Sequence, residues 1–436
     1  MSGAGELHHI VIIGGGFGGL NAAKELKHAP VHLTLIDRRN LHLFQPLLYQ
    51  VATGGLSPGD IAAPLRVVLR SNKSARIYMA EVTGIDKEKK QVQTDQKVIG
   101  YDSLIVAAGS VNHYFGHDEW RPFAPGLKSI EEALDIRKRI LTSFERAEMT
   151  DDENLRRELL TFVIVGGGPT GVELAGSVAE IANHTIRKDY RNFDPGSAKI
   201  LLIEGVDRLL PAFPPDLSAA CEKMLNELGV DVMTGTFVTS INGHEVRLKK
   251  ENQESTLKTQ CVLWGAGIKA SPLGKMIAGT NEKLLDKSGR VFVEKDMSVP
   301  GYPEVFVIGD LANYPYQTGE PLPGLAPVAM QQGRHVAKLI LARLKNKTIK
   351  PFKYIDKGTL ATIGRSRAVG TVWKFKFKGF IAWFLWLTIH LRYITGHQNR
   401  ILVLIQWAWN YFTWARVARV ITNVYEHPPD DYSKVK

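Results

Sequence analysis

Two glycine-rich turns are the residues of this sequence whose types and spacing are best suited to chemistry. One lies in HIVIIGGGFGGLNA at 9–22 and the other in TFVIVGGGPTGVEL at 161–174. Both have the spacing GxGxxG: the first glycine allows a tight turn, the second leaves room for a pyrophosphate, and the third lets helix and strand pack closely. Phosphates would lie at the helix N-terminus, where free N–H groups and the helix dipole favour anions.

Each turn lies inside a strand–helix–strand pattern, and the second strand of each pattern ends in an acid. The strand VHLTLID ends at Asp37, and AKILLIE ends at Glu204; both carboxylates suit ribose hydroxyl groups. A single GxGxxG is weak evidence, but two in this context predict two Rossmann-like dinucleotide sites. The predicted phosphate-binding glycines are Gly14, Gly16 and Gly19 in the first turn and Gly166, Gly168 and Gly171 in the second.

Glu204 also bears on the choice of nucleotide. Its carboxylate would repel a 2′-phosphate, and the next residues, Gly205 and Val206, offer no cation. NADH is therefore favoured over NADPH, although Arg208 leaves residual NADPH use open.

The bulk composition limits the remaining classes. A chain of 436 residues favours two or three domains, and an apolar fraction of 44% argues against long disorder. Cys221 and Cys261, the two cysteines, form no CxxC pair or metal motif, so we expect a reducing compartment. We also expect no signal peptide or targeting segment, because the first apolar run leads directly into glycines.

The charge is concentrated near the C-terminus. Ten of the Lys and Arg residues and no acid lie between Lys357 and Tyr425, together with six of the eight tryptophans. The apolar runs at 379–389 and 401–414 are too short to span a bilayer, which needs about 20 residues. We expect two interfacial helices on a membrane surface; a helical pair buried in a domain or dimer interface is the alternative. Nucleic acid is excluded as a partner, since no binding module is recognisable.

The motifs FGG, YDSLIVAAGS, GGGPTGVE and VFVIGD together resemble the two-dinucleotide flavoprotein oxidoreductases. The resemblance implies FAD at the first site and NADH at the second. It also implies that Asp310 binds the ribityl chain, that the backbone at Val82 contacts the adenine, and that Gly109 belongs to the FAD site. The branches that need a cysteine pair near the flavin do not fit, because residues 38–60 contain no cysteine.

Four further stretches resemble the type II NADH:quinone oxidoreductases, with similarity over about residues 8–420. They are NLHLFQPLLYQVATGGLSP, LLPAFPPDLS, WGAGIKASPLG and LAPVAMQQGRHVAK. The family's quinone signature AQxAxQ falls on residues 326–331; Ala329 and Gln331 match, but Pro327 replaces the first glutamine. The resemblance also implies that Ala329 contacts the FAD. The resemblance implies that Glu173 lies beside the nicotinamide and flavin and that Gln50 lies near the flavin ring.

We therefore predict an α/β protein with two Rossmann-like domains and a C-terminal membrane-association segment. The expected division is 1–115 and 296–350 for FAD, 116–295 for NADH, and 351–436 for the C-terminal region. The predicted function is NADH oxidation through FAD with transfer of two electrons to a membrane quinone, without proton pumping, at the cytoplasmic face of a bacterial plasma membrane. A soluble-acceptor NADH reductase and a non-catalytic nucleotide sensor remain alternatives, and a homodimer is left open.

Overall fold

The computed structural model describes residues 7–416 and 418–421. Its strands are β1 His9–Ile13, β2 His32–Asp37, β3 Leu41–Leu43, β4 Ala62–Pro64, β5 Ala75–Met79, β6 Val82–Asp86, β7 Gln91–Thr94, β8 Val98–Gly100, β9 Ser103–Val106, β10 Ser110–Asn112, β11 Thr161–Val165, β12 Lys199–Ile203, β13 Val230–Met233, β14 Thr236–Ile241, β15 Glu245–Lys250, β16 Gln253–Lys258, β17 Cys261–Trp264, β18 Ile268–Ala270, β19 Val291–Phe292, β20 Ser298–Val299, β21 Tyr302–Val307, β22 Ala312–Asn313, β23 Gly358–Gly364, β24 Arg367–Val372 and β25 Phe375–Lys378. Its α-helices are α1 Phe17–Glu25, α2 Leu48–Ala52, α3 Pro58–Ile61, α4 Leu65–Val68, α5 Ile130–Met149, α6 Glu153–Leu159, α7 Pro169–Glu180, α8 Pro215–Glu227, α9 Leu273–Ala278, α10 Ala326–Arg343, α11 Phe380–Tyr393 and α12 His397–Thr413.

The chain divides into two compact units, each assembled from three segments. Unit 1 comprises Met1–Leu43, Ala62–Val111 and Ile268–Asp356, of which 1–6 lie outside the described residues. Unit 2 comprises Phe44–Ile61, Asn112–Gly267 and Lys357–Lys436, of which 417 and 422–436 lie outside the described residues.

Unit 1 is built on a six-stranded sheet in the order β20-β21-β9-β1-β2-β5. All pairs except β20–β21 are parallel, so the carboxyl ends of the other five strands meet at one edge. Residues Ile10–Ile12 of β1 are fully buried, as expected for a central parallel strand covered on both faces. The chain reverses strand order beside β1, between β2 and β9, and this is where open α/β sheets bind ligands.

Unit 2 repeats this plan in a four-stranded parallel sheet with the order β13-β12-β11-β17. The central strand β11 lies between β12 and β17, as β1 lies between β2 and β9. Its residues Thr161–Val165 are all buried. The predicted fold class of two Rossmann-like domains is therefore confirmed.

From Lys357 onward the C-terminal region belongs to unit 2 and packs on α7, the helix that follows the second glycine-rich turn. The antiparallel sheet β23-β24-β25 contacts α7 through β23, and α11 packs on the same sheet. A Cβ added at Gly176 of α7 would lie 1.7 Å from the carbonyl oxygen of Ile363, so only glycine allows this close approach. Helices α11 and α12 extend beyond the predicted apolar runs, yet no helix among the described residues is long and apolar enough to cross a bilayer.

The compact units group two longer segments differently from the predicted domains, whose boundaries stay a prediction. Residues 44–61 fall within the predicted FAD domain, but they join unit 2, where α2 packs on α5 and α7, and α3 packs on α12. Residues 268–295 were expected in the NADH domain, but they join unit 1, where β19 pairs with β22. Long-range packing of these short elements, which no local pattern reports, accounts for both differences.

Candidate functional site

The first glycine-rich turn, here called the first fingerprint, forms a phosphate cradle at the carboxyl end of β1. Gly14 has φ +100° and its N–H donates to the carbonyl of Ile36, which anchors the turn on β2. Asp37, the acid that follows, accepts from the Gly15 N–H at 2.6 Å and from the Arg39 N–H at 2.7 Å. Burial raises the pKa of Asp37, and the two backbone hydrogen bonds oppose that rise.

The second fingerprint reproduces this geometry bond for bond. Gly166 has φ +106°, and its N–H donates to the carbonyl of Ile203 at 2.7 Å. Glu204 accepts from the Gly167 N–H at 2.5 Å and from the Val206 N–H at 2.9 Å. Both acids are thus held at a strand end beside the glycine turn, where a ribose would lie if the phosphates occupy the turn.

The glycines of each turn separate into packing positions and an open position. An added Cβ would lie 1.9 Å from the Gly14 oxygen at Gly19 and 1.7 Å from the Gly166 oxygen at Gly171, so these glycines permit close helix packing. At Gly16 and Gly168 an added Cβ would meet nothing within 4 Å. These two are the N-cap residues of α1 and α7, so the space above them is open at a helix N-terminus, as a bound pyrophosphate requires.

The remaining residues predicted for FAD surround the first turn within unit 1. Gly109, with φ +65°, follows β9 at the same sheet edge. Asp310 lies in the turn after β21 and accepts from the Ser110 hydroxyl at 2.7 Å. Ala329 of α10 is buried, and an added Cβ at Gly18 would lie 3.4 Å from its carbonyl oxygen.

Val82 is also in unit 1, at the start of β6. It is buried and pairs with Thr94 of β7. The Ala80 N–H donates to the Asp37 carbonyl at 3.0 Å, so the chain that leads to Val82 passes beside the end of β2. Its predicted contact with adenine remains a prediction.

The two glutamines of the MQQG stretch have different partners. Gln331 uses both ends of its amide on the backbone of Ile355, at 3.0 Å each. Gln332 is buried and accepts from the Gly309 N–H at 2.7 Å, which fixes the turn that carries Asp310. No sequence pattern distinguishes Gln332 from Gln331, because burial of one glutamine of an adjacent pair depends on the helix face that packs. Pro327 lies in the first turn of α10, where its missing N–H has no cost.

Glu173 lies in the first turns of α7, and its carboxyl group is partly buried beneath the C-terminal region. The Thr362 N–H of β23 donates a hydrogen bond to it. Burial raises its pKa well above the ordinary value, and the single backbone bond only partly opposes this. A neutral, protonated Glu173 suits a hydrogen-bond donor better than a counter-ion.

Replacing Glu173 with glutamine should make the stability of the folded chain less dependent on pH. A raised carboxyl pKa means that the folded state holds a proton that the unfolded state has released above about pH 4.5, so the stability of the wild-type chain falls as pH rises. Glutamine does not ionise, so the Tm of Glu173→Gln relative to the wild type should rise between about pH 5 and pH 8. Parallel Tm profiles for the two proteins would contradict a raised pKa.

Gln50 lies on α2 in unit 2 and takes part in a partly buried series of hydrogen bonds. The Trp407 indole N–H donates to Gln50 Oε1 at 2.7 Å, and Gln50 Nε2 donates to the Tyr49 hydroxyl oxygen at 2.8 Å. Tyr49 is buried, and burial raises its pKa well above the ordinary value. Sequence reasoning missed Tyr49 and Trp407, since 357 positions separate Trp407 from Gln50.

The basic residues of the C-terminal region are only partly available to lipid. Four of them pair with acids elsewhere in unit 2. These pairs are Arg416–Glu180 at 2.8 Å, Arg419–Asp189 at 2.5 Å, Lys376–Asp216 at 2.7 Å and Arg367–Glu227 at 3.8 Å. These four side chains are therefore already bound by acids of the adjacent Rossmann-like half of unit 2.

The cysteines and potential metal ligands bear on thiol-based and metal-based chemistry. Cys221 and Cys261 are buried free thiols, and burial raises the pKa of each to about 12. Both are protonated at neutral pH and are poor nucleophiles. Over the described part of the chain, no cluster of His, Cys, Asp or Glu could hold a metal ion.

Comparison with known families matches almost the whole chain. Residues 8–333 match the pyridine nucleotide-disulphide oxidoreductase family, and residues 357–414 match the NDH2 C-terminal domain. The solved structure of NDH2 from Plasmodium falciparum in complex with NADH has a TM-score of 0.87 at 21% identity, covering 95% of this chain and 100% of that one. The sulfide:quinone oxidoreductase of Aquifex aeolicus shares the fold with a TM-score of 0.70, over 95% of this chain and 92% of that chain, at 17% identity.

Two curated relatives carry the assignment further. Type II NADH:quinone oxidoreductase NdhA of Mycobacterium tuberculosis is 44% identical over 97% of this chain and 91% of its own length. The type II NADH:quinone oxidoreductase of Staphylococcus haemolyticus is 29% identical over 84% of this chain and 89% of its own length. The two equivalent dinucleotide cradles and the buried, protonated state of both cysteine thiols agree with these similarities. This chain belongs to the type II NADH:quinone oxidoreductases.

Proposed function

We propose that this chain oxidises NADH through a bound FAD and delivers the two electrons to a membrane quinone without pumping protons. The observation that carries the proposal is the pair of matching cradles, one in each unit, each with an open N-cap glycine and an acid held by two backbone N–H groups. Two such sites in one chain suit a resident and an exchanging dinucleotide.

The residues of unit 1 fit FAD. The open space above Gly16 accepts a pyrophosphate, Asp37 is positioned for the adenosine ribose, and the Asp310 carboxylate, held by Ser110, can accept hydrogen bonds from the hydroxyl groups of a polyol chain. When bound, FAD supplies the capacity to take up a hydride and release two electrons. Acid extraction of the purified protein should release one FAD per chain; FMN, or no flavin, would contradict this assignment.

The residues of unit 2 fit NADH. Gly168 is open to a pyrophosphate, and Glu204 stands where it binds a ribose diol and repels a 2′-phosphate. The Arg208 guanidinium donates to the Pro211 carbonyl at 2.8 Å, so one of its N–H groups is already used within the chain. This arrangement favours NADH over NADPH.

Membrane attachment is proposed through the outer faces of α11 and α12. Large apolar side chains on these helices are 41–78% exposed: Phe380, Ile381, Phe384, Ile401, Leu402, Leu404, Ile405, Trp409 and Phe412. A contiguous exposed apolar surface flanked by basic residues is typical of helices that lie in a lipid interface. The proposed location is the cytoplasmic face of a bacterial plasma membrane, where a lipid-soluble quinone is accessible.

Replacing Ile401 and Ile405 with serine should weaken binding to phospholipid vesicles at least about tenfold, since each buried isoleucine contributes about 1.5–3 kcal/mol. Both side chains are about 60% exposed, so folding should be unaffected. Sedimentation with vesicles measures binding, and Val98→Ser, at an exposed position in unit 1, is the control. Deleting residues 379–436 is a less suitable test, because it would also remove Trp407 and Arg416 from their partners. If the Ile401/Ile405 double variant binds vesicles as strongly as the Val98→Ser control, the proposed membrane surface is contradicted.

The function is tested with full-length protein in phospholipid vesicles that contain a quinone and a pH-sensitive dye. NADH should be consumed only when quinone is present, and the internal pH should not change beyond the protons that the reaction itself consumes. NADH consumption that proceeds equally well without quinone would favour the soluble-acceptor alternative. Absence of NADH consumption would overturn the enzymatic assignment.

A further inference from the structure

The hydrogen-bond series through Gln50 has a direction that chemistry fixes. An indole N–H can only donate, so the Gln50 atom that faces Trp407 at 2.7 Å must be the carbonyl oxygen. The other end of the amide must then be the NH₂ group, which can only donate. The Tyr49 oxygen, 2.8 Å away, is therefore an acceptor in this bond, and its own proton cannot point toward Gln50.

The Tyr49 proton has no acceptor among the described residues, and a second unused donor lies nearby. The Trp386 side chain is 3% exposed, and its indole nitrogen is buried without a hydrogen-bond partner in the described part of the chain. The two rings lie 6.5 Å apart, between centroids. Leaving a buried donor unpaired is costly, so each of these two groups needs a partner from outside the described part of the chain.

The chemistry of these two groups selects the kind of ligand. Both are donors, whereas an oxidised quinone presents two carbonyl oxygens that accept and no group that donates. Trp386 lies on α11 and Trp407 on α12, the helices whose outer faces are apolar and exposed. A quinone that enters from lipid would therefore meet acceptor-seeking groups on the inner side of these helices.

We propose that Tyr49 donates a hydrogen bond to a quinone carbonyl oxygen and that Trp407, acting through Gln50, is the positioning residue that directs the Tyr49 proton to it. The inference rests on the proposed quinone reduction and adds the groups that bind the acceptor. Negative charge develops on the quinone oxygen as electrons arrive, and a fixed donor stabilises that charge. Burial keeps the Tyr49 hydroxyl protonated at neutral pH, so the donor is available throughout.

Three variants of the full-length holoprotein test the direction of the series. Trp407→Phe removes the donor that fixes the amide, so the Gln50 amide can flip and accept the Tyr49 proton. Gln50→Glu keeps an acceptor for Trp407, but a carboxylate cannot donate to Tyr49, so the proton turns inward. Tyr49→Phe removes the proton altogether. Trp373→Phe is the matched control, at a tryptophan that is 66% exposed and lies outside the series.

Rapid mixing of the NADH-reduced protein with menadione measures reoxidation of the flavin. Each of the three variants should slow reoxidation about tenfold, the factor that one hydrogen bond of ordinary strength represents, while flavin reduction by NADH is unchanged. Adding Trp407→Phe to Tyr49→Phe should cause no further loss, because Trp407 acts only through Tyr49. Multiplying losses in the double variant, or wild-type reoxidation in Gln50→Glu, would overturn the positioning role.

A second readout does not depend on turnover. The carbonyl stretch of ¹³C-labelled menadione bound to the oxidised protein should shift to lower frequency through the hydrogen bond. The shift should be lost in Tyr49→Phe and Trp407→Phe and kept in Trp373→Phe; a stretch unaffected by Tyr49→Phe would overturn the contact. If menadione does not reoxidise the wild-type protein, the proposed function itself fails. If menadione reoxidises the wild-type protein and the three variants at the same rate, only the role of Tyr49 fails.

Discussion

Replacing Arg416 with methionine should destabilise the folded chain by about 3–5 kcal/mol, because it leaves a buried carboxylate without its partner. Arg416 and Glu180 form an ion pair of 2.8 Å with side chains only 12% and 9% exposed. Arg416 also donates to the Thr53 carbonyl at 3.1 Å, so it joins the C-terminal residues to α7 and to the segment that carries Gln50. Urea unfolding of the full-length protein measures the loss.

Arg419→Met is the matched control for this prediction. Arg419 pairs with Asp189, but the two side chains are 32% and 46% exposed, so the substitution should cost no more than about 1 kcal/mol. Adding Glu180→Gln to Arg416→Met should restore part of the stability, since the uncompensated charge is removed. Equal losses for Arg416→Met and Arg419→Met would show that the buried pair does not secure this region.

Replacing Gly168 with valine should weaken NADH binding about 100-fold or more while leaving the fold intact. The backbone at Gly168 is extended, with φ −72° and ψ 179°, and an added Cβ meets nothing within 4 Å. The new side chain would occupy the space of the pyrophosphate and block its bonds to the helix N-terminus. The NADH concentration that half-reduces the flavin should rise about 100-fold or more, the equivalent of about two charge-assisted hydrogen bonds.

Two other glycines separate this effect from general damage. Gly171→Ala should reduce the yield of folded protein, since its Cβ would lie 1.7 Å from the Gly166 oxygen. Gly16→Val, the same change in unit 1, should instead give protein that lacks flavin. Gly168→Val should keep its flavin and an unchanged Tm, but wild-type concentrations of NADH should no longer reduce that flavin. If they do reduce it, the assignment of the second site is contradicted.

The dinucleotide cradles could be predicted from sequence because local rules determine them. Strand, glycine turn, helix and terminal acid are consecutive or within about one βαβ unit, and glycine at φ +100° or +106° leaves few alternatives for the turn. Pro327 follows a local rule as well, since proline suits the first turn of a helix and α10 begins at Ala326.

The contacts of the C-terminal region could not be predicted, because they join residues far apart in the chain. A run of basic residues next to tryptophans has the same sequence pattern whether its charges face lipid or pair with acids. Only the fold shows that Arg416 is buried against Glu180. Gln331 illustrates a similar limit: its position in a family signature implied a role at the quinone, whereas its amide is bonded at both ends to Ile355. Its predicted role stays a prediction.

The central claim is that electrons pass from NADH through a flavin to a quinone, and anaerobic absorbance of the purified protein tests it most directly. One equivalent of NADH should bleach the flavin, and one equivalent of menadione should then restore the full absorbance. Bleaching without recovery would contradict quinone reduction and favour a soluble acceptor. A flavin that NADH does not bleach would contradict the pairing of the two dinucleotide sites.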